Sequence, residues 1–85
     1  LNPRLLILDE PTSGVSTQEK HGVMEILMRA LDEQRVTAIF VEHDVDIVKR
    51  YATRVAAWIN GAIAADGSPA SVLADPTVKR EVLGI

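Results

Sequence analysis

Hydrophobic and polar positions alternate in blocks of different period along the chain. Residues 4–8 (Arg-Leu-Leu-Ile-Leu) hold an unbroken apolar run, with Asn2-Pro3 before it and Pro11 and Ser13-Gly14 after it. A short apolar run between turn residues predicts a strand buried on both faces, as in the middle of a parallel sheet. Pro11 arrives too soon for the run to be a buried helix. The next block has helical spacing. Val23, Ile26, Leu27, Ala30 and Leu31 follow the i, i+3, i+4, i+7, i+8 pattern, and Met24 and Met28 widen the stripe. Glu19, Lys20, Glu25, Arg29, Asp32 and Glu33 take the polar side. Ser16 followed by Glu19 fits a capping box, so the helix is predicted over residues 17–34. Gly22 lies inside it at a cost of about 1 kcal/mol relative to alanine.

Residues 36–41 (Val-Thr-Ala-Ile-Phe-Val) are β-branched and aromatic, and predict a second strand. Strand, helix, strand makes a right-handed crossover with parallel strands. Asp44 then caps a short helix to about Ala52, with Val45, Ile47, Val48, Tyr51 and Ala52 on its inner side. Residues 54–59 form a third strand, Asn60-Gly61 a two-residue hairpin turn, and residues 62–65 an antiparallel return. Ser68-Pro69 opens a helix ending near Ala74. Asp75-Pro76 caps a last helix through Leu83, stopped by Gly84. Asp66-Gly67 is the candidate joint between an α/β part, 1–66, and a helical tail, 67–85.

Composition narrows the classes. The 85 residues, 47% apolar, permit one small domain. A domain of this size buries only about 60–65% of its unfolded surface, and strands wanting neighbours on both sides make that worse. Nine basic against twelve acidic residues give a net charge of −3, with no basic cluster, so nothing speaks for nucleic-acid binding. The absence of cysteine excludes disulfides and thiolate metal sites. Apolar stretches are far shorter than the ~20 residues of a membrane span. No signal-peptide pattern is visible. The chain starts at Leu1 rather than Met, which suggests a piece of a longer polypeptide.

The candidate chemistry sits at the strand ends. Asp9 and Glu10 follow the first strand, at the carboxyl end where open α/β sheets bind ligands. Two adjacent carboxylates are costly beside an apolar strand unless something cationic meets them, and a bound metal ion is the obvious candidate. Neighbours on a strand point to opposite faces, but here the chain is leaving the sheet, so both can reach a ligand above its edge. A bare Asp-Glu is more often the solvated start of a turn. His43, in Glu42-His43-Asp44, reaches the same edge from the second strand; a lone histidine there is usually a surface side chain. A metal site built from Asp9, Glu10, His43 and Asp44 is a rival reading, disfavoured because transition-metal sites usually show more than one imidazole or thiolate.

These stretches also carry a family resemblance. Leu5-Leu6-Ile7-Leu8-Asp9-Glu10-Pro11-Thr12 resembles the Walker-B motif of ATP-binding cassette (ABC) ATPases, and the continuation through Ser13-Gly14 makes it specific. Phe40-Val41-Glu42-His43-Asp44 resembles their H-loop. Ser13-Gly14-Val15-Ser16 occupies the place of their D-loop, which crosses a dimer interface and most commonly ends in aspartate. Ser16 can cap the helix as well as aspartate, but contacts made by an aspartate across the dimer are put in doubt. The resemblance implies that Asp9 holds Mg2+ through a water, that Glu10 is the general base or water-positioning group, and that His43 contacts the γ-phosphate of ATP. The run from Asn60 to Pro69, with Val72-Leu73, Asp75-Pro76, Val78 and Val82-Leu83-Gly84, resembles the ending of branched-chain amino acid importer ATPases, which often finish in Tyr-Leu-Gly. The resemblance covers essentially the whole chain but only the second half of an ABC ATPase domain. It implies a partial P-loop NTPase of the α/β class: parallel strands with a crossover helix, then a β-hairpin and C-terminal helices.

No phosphate-binding loop of the form G-x-x-x-x-G-K-S/T occurs, and neither do the family's glutamine loop and Leu-Ser-Gly-Gly-Gln signature. In such proteins all three lie upstream of Walker B. The cradle and lysine that hold the β- and γ-phosphates are therefore missing, and the chain alone is expected neither to bind ATP usefully nor to hydrolyse it. For an intact protein the resemblance implies an ATPase working as a homo- or heterodimer of cassettes. It would sit peripherally on the cytoplasmic face of the inner membrane, against permease subunits, and drive import of branched-chain amino acids or a related small solute. Two other classes stay open: an ABC ATPase without a permease, of the DNA-repair or translation kind, against which the importer-like tail speaks, and a non-catalytic half-domain.

Overall fold

The computed structural model describes residues 4–84. In it the chain runs β1 (Leu5–Asp9), α1 (Thr17–Glu33), β2 (Thr37–Val41), α2 (Val45–Tyr51), β3 (Val55–Ile59), β4 (Ala62–Gly67), α3 (Pro69–Ala74), α4 (Pro76–Val78) and a π-helical turn, Lys79–Leu83. It divides into two compact units between Ile47 and Val48, inside α2. The sequence placed the joint at Asp66-Gly67. Gly67 instead pairs with Val55 as the last residue of β4, and α3 packs in the same unit as the hairpin.

In the first unit β1 and β2 are adjacent and parallel, in register from Leu5 opposite Thr37 to Asp9 opposite Val41. One face is covered: Leu6, Leu8, Ala38 and Phe40 are half-buried. The other carries Leu5, Ile7, Ile39 and Val41, all exposed, Ile7 by 65%. The expectation of a strand buried on both faces is therefore not met by these residues. A single crossover helix can lie on only one face of a strand pair, and burying the second face takes another layer.

Helix α1 begins where the sequence places it. Ser16 is extended, and its hydroxyl accepts from the amide of Glu19 at 3.3 Å. Its buried side is narrower than the apolar stripe. Met24 and Leu31 are buried, and Leu27 and Met28 are half-buried, whereas Val23, Ile26 and Ala30 are exposed. Two strands offer one helix a contact only a few residues wide, so the outer part of the stripe stays uncovered. The helix closes on a Schellman arrangement. The amide of Val36 donates to the carbonyl of Leu31 at 2.9 Å, and that of Arg35 to Asp32 at 3.1 Å. Arg35 takes the left-handed conformation, φ 54°, that this cap requires.

In the second unit Asn60 and Gly61 both have positive φ, 51° and 78°, as a tight hairpin turn demands. A register shift between Ala57 and Trp58 marks a bulge in β3. Arg54 closes the open end of the hairpin with a two-pronged pair to Asp66, at 2.8 and 2.7 Å. Ala57, Val72 and Val78 form the core, with Val55, Ala65 and Leu83 packed against it. Asp75 caps α4, accepting from the amides of Thr77 at 2.8 Å and Val78 at 3.1 Å. The single helix expected from Pro76 to Leu83 instead widens after Val78. The i to i+5 spacing of the π-turn sets Val78 and Leu83 against one core, and Gly84 at φ 71° ends it.

Candidate functional site

The loops leaving β1 and β2 emerge side by side because the strands are parallel and in register. Between them and the start of α1 lies an open cleft of about 390 Å³, lined by Glu10, Thr12, Ser13, Gly14, Val15, Lys20, Glu42, His43 and Asp44. Glu10 turns the chain out of the sheet at φ 47°, a left-handed conformation costing a non-glycine residue about 1 kcal/mol or more. Two backbone bonds hold it there. Its amide donates to the carbonyl of Val41 at 2.7 Å, and its carbonyl accepts from the amide of Ser13 at 2.9 Å.

His43 comes from the other loop. Its Nε2 lies 3.5 Å from Oε1 of Glu10, with the imidazole 79% exposed and so open to a ligand. Glu10 and His43 thus meet on one rim. Asp9 is the last residue of β1, opposite Val41 and exposed, one residue from the cleft and not part of its lining. Ser13, Gly14 and Val15 form one wall, Gly14 at φ 81°, and Ser16 leaves the cleft to cap α1.

Three lining residues had not been assigned a role. Thr12 is 1% exposed, the buried polar residue among those described, and its hydroxyl donates to Oε2 of Glu42 at 3.3 Å. The other oxygen of Glu42 accepts from the amides of His43 at 3.1 Å and Asp44 at 3.3 Å. Lys20, read as part of the wet side of α1, reaches Asp44 at 2.8 Å. That hydrogen bond, with the attraction of the charges, holds the Asp44 carboxyl below the usual carboxylate range and the Lys20 ammonium above the usual lysine value. Asp44 also accepts from the amides of Asp46 at 3.0 Å and Ile47 at 3.3 Å, which fixes the start of α2. No local pattern announces these links. Thr12 and Glu42 are 30 residues apart, Lys20 and Asp44 are 24 apart, and only the strand register brings them together.

Charge decides what the cleft can take. Glu10, Glu42 and Asp44 face it, and Lys20, the lysine of the lining, is engaged by Asp44. This surface suits a cation, a water or the metal-bearing side of a ligand, and does not by itself hold a bare polyphosphate. Among the described residues no three His, Cys, Asp or Glu side chains gather into a metal-holding group. Mg2+ needs fewer, because it keeps several waters and binds through one or two carboxylates plus substrate phosphates. The Asp9-Glu10 pair fits that donor set; the residues fit no phosphate cradle.

An acid and an imidazole at the carboxyl edge of parallel strands, beside a crossover helix, define an α/β ligand-binding edge. No family model matches the chain. Curated relatives and solved structures do. A putative ABC transporter ATP-binding protein of Methanosarcina acetivorans is 33% identical over 81 residues, 95% of this chain and 25% of that protein. The energy-coupling factor transporter ATP-binding protein EcfA2 of Latilactobacillus sakei is 38% identical over 76 residues, 89% of this chain and 26% of that protein. Among structures, cbiO1 of Clostridium perfringens, described as part of the ABC transporter complex cbiONQ, superposes with a TM-score of 0.76 at 36% identity. That match covers 92% of this chain and 31% of cbiO1. MJ1267, described as an ATP-binding cassette of an ABC transporter, gives 0.72 at 30% identity over 93% of this chain and 32% of its own. The chain is a partial ABC ATPase domain, and the relatives it matches are ABC transporter ATP-binding proteins. It spans about a quarter of the length of the curated relatives it matches.

Proposed function

We propose that this chain supplies the water-activating edge of an ATPase that drives solute transport across a membrane. The observation that carries the reading is the approach of His43 Nε2 to Glu10 Oε1, 3.5 Å apart above the ends of two parallel strands. Mg2+-bound ATP supplies an electrophilic γ-phosphorus and disperses the charge that builds on it. Glu10 orients the attacking water and takes its proton as the new P–O bond forms and the bond to ADP breaks. His43, nearly free in solvent on its outer side, donates a hydrogen bond to a γ-phosphate oxygen. Asp9 would hold the Mg2+ that ATP brings. Ser13, Gly14, Val15 and Ser16 face a second cassette, identical or not.

The relatives' names support ATP-driven transport in general terms and speak against the repair or translation class. They are described as ABC or energy-coupling factor transporter proteins, and none of those named above is described as handling branched-chain amino acids. That solute class rests on the tail resemblance alone. The partners of the reading are transmembrane permease subunits, with the ATPase peripheral at the cytoplasmic face of the membrane. Among the described residues no helix is long and apolar enough to cross one.

The test is Glu10→Gln in the full-length protein. Amide for carboxylate keeps the size and removes the base, so turnover should fall about 100-fold or more while ATP affinity stays within about twofold. Wild-type turnover in that variant removes Glu10 from the reaction.

A further inference from the structure

Neither loop alone fixes the distance between Glu10 and His43. Two cross-links do, and both join the segment Glu10 to Thr12 to the segment Val41 to Glu42. One is the 2.7 Å bond from the amide of Glu10 to the carbonyl of Val41. The other is the Glu42 carboxylate, with Thr12 on one oxygen and the amides of His43 and Asp44 on the other. Thr12 is buried, and Glu42 accepts from its hydroxyl, so the bond joins the two loops away from bulk solvent.

We propose that Glu42 is a positioning residue for the reaction at Glu10. It grips the peptide of His43 from within its own loop and anchors that grip to Thr12 on the neighbouring loop, so the imidazole is presented at a set distance from the Glu10 carboxylate. Glu42 acts through the His43 peptide and is not itself assigned the proton or the phosphate. The proposal rests on the reading of the site as an ATPase edge, and it adds the residue pair that keeps the edge in register.

The experiment uses the full-length protein with four variants: Glu42→Ala, Glu42→Gln, Thr12→Val and the double variant T12V/E42A. Two quantities are read, ATP turnover with nucleotide affinity, and amide hydrogen exchange at His43 and Asp44 without nucleotide. E42A should speed exchange at both amides and lower kcat about tenfold, with ATP affinity within about twofold, because a small misplacement of a reacting group is felt in rate. E42Q should recover most of both, since its amide oxygen still accepts the two backbone donors. T12V should move kcat in the same direction, and T12V/E42A should be no worse than E42A, as for groups sharing one interaction. Unchanged exchange in E42A, unchanged kcat, or affinity and melting temperature falling together with kcat would each overturn the positioning role. If wild-type protein does not turn over ATP, the reading of the site fails, while the exchange rates still decide whether Glu42 grips the loop.

Discussion

At the scale of residues, the cleft is held by groups whose charge depends on pH. Asp44 titrates below the usual carboxylate range because of Lys20, and Lys20 above the usual lysine value because of Asp44. The Asp44 contribution is complete above the ordinary carboxylate pKa and is lost as pH falls through its lowered value. The Lys20 contribution is complete below the ordinary lysine pKa and is lost as pH rises through its raised value. The pair therefore supports the first unit across the whole neutral range and releases at the two extremes. Lys20→Met should let the acid loss begin at higher pH, because the Asp44 carboxyl returns toward its ordinary range while keeping its bonds to α2. Thermal melting over an acid series checks this; an unaltered acid limb would mean the pair contributes nothing. Asp9, Glu10 and His43 were candidates from sequence because they lie just past two apolar runs, within the stretches that carry the family resemblance. Thr12 and Lys20 were not. A threonine after Asp-Glu-Pro and a lysine in the first turn of a helix carry no sign of a partner 24 or 30 residues away.

At the scale of elements, local chemistry set the boundaries well. Ser16, Ser68 and Asp75 cap their helices in the structure as their residue types and spacing require, and Asn60-Gly61 turns the hairpin. What local chemistry could not set was how much of each apolar stripe finds a partner. Val23 and Ile26 have the helical spacing of core residues and lie exposed, because spacing describes a helix and not what stands opposite it. The π-turn after Val78 was hidden for a related reason: it answers to the positions of Val78 and Leu83 in one core. The end of α1 offers a test. Arg35 adopts left-handed φ 54° in a Schellman cap, a place that glycine fills without strain. Arg35→Gly should therefore stabilise the fold by about 0.5–1 kcal/mol, after the greater freedom glycine gives the unfolded chain is subtracted. Denaturant titration reads the change, and a loss of stability would show that the arginine side chain holds a contact worth more than the strain.

At the scale of the whole molecule, the two units hold the pieces of a larger design. The α/β class, the parallel pair and the shared rim were legible in the order strand, helix, strand. The location of the division was not, because it depends on which segments share a core and not on a Gly-containing dipeptide. The cleft faces its ligand mainly with carboxylates, so calorimetry should detect no micromolar binding of Mg-ATP to the 85-residue chain. Micromolar affinity would mean that a phosphate cradle forms from residues without the usual glycine-rich loop. The bare face of the β1-β2 pair has a further consequence for anyone handling the chain by itself. Two five-residue strands, each with an outer edge of open backbone donors and acceptors, present Leu5, Ile7, Ile39 and Val41 side by side. Such a surface is a template on which copies stack laterally. Solubility, and not the strength of the fold, would then set the highest usable concentration, and a charged residue at Ile7 would raise it.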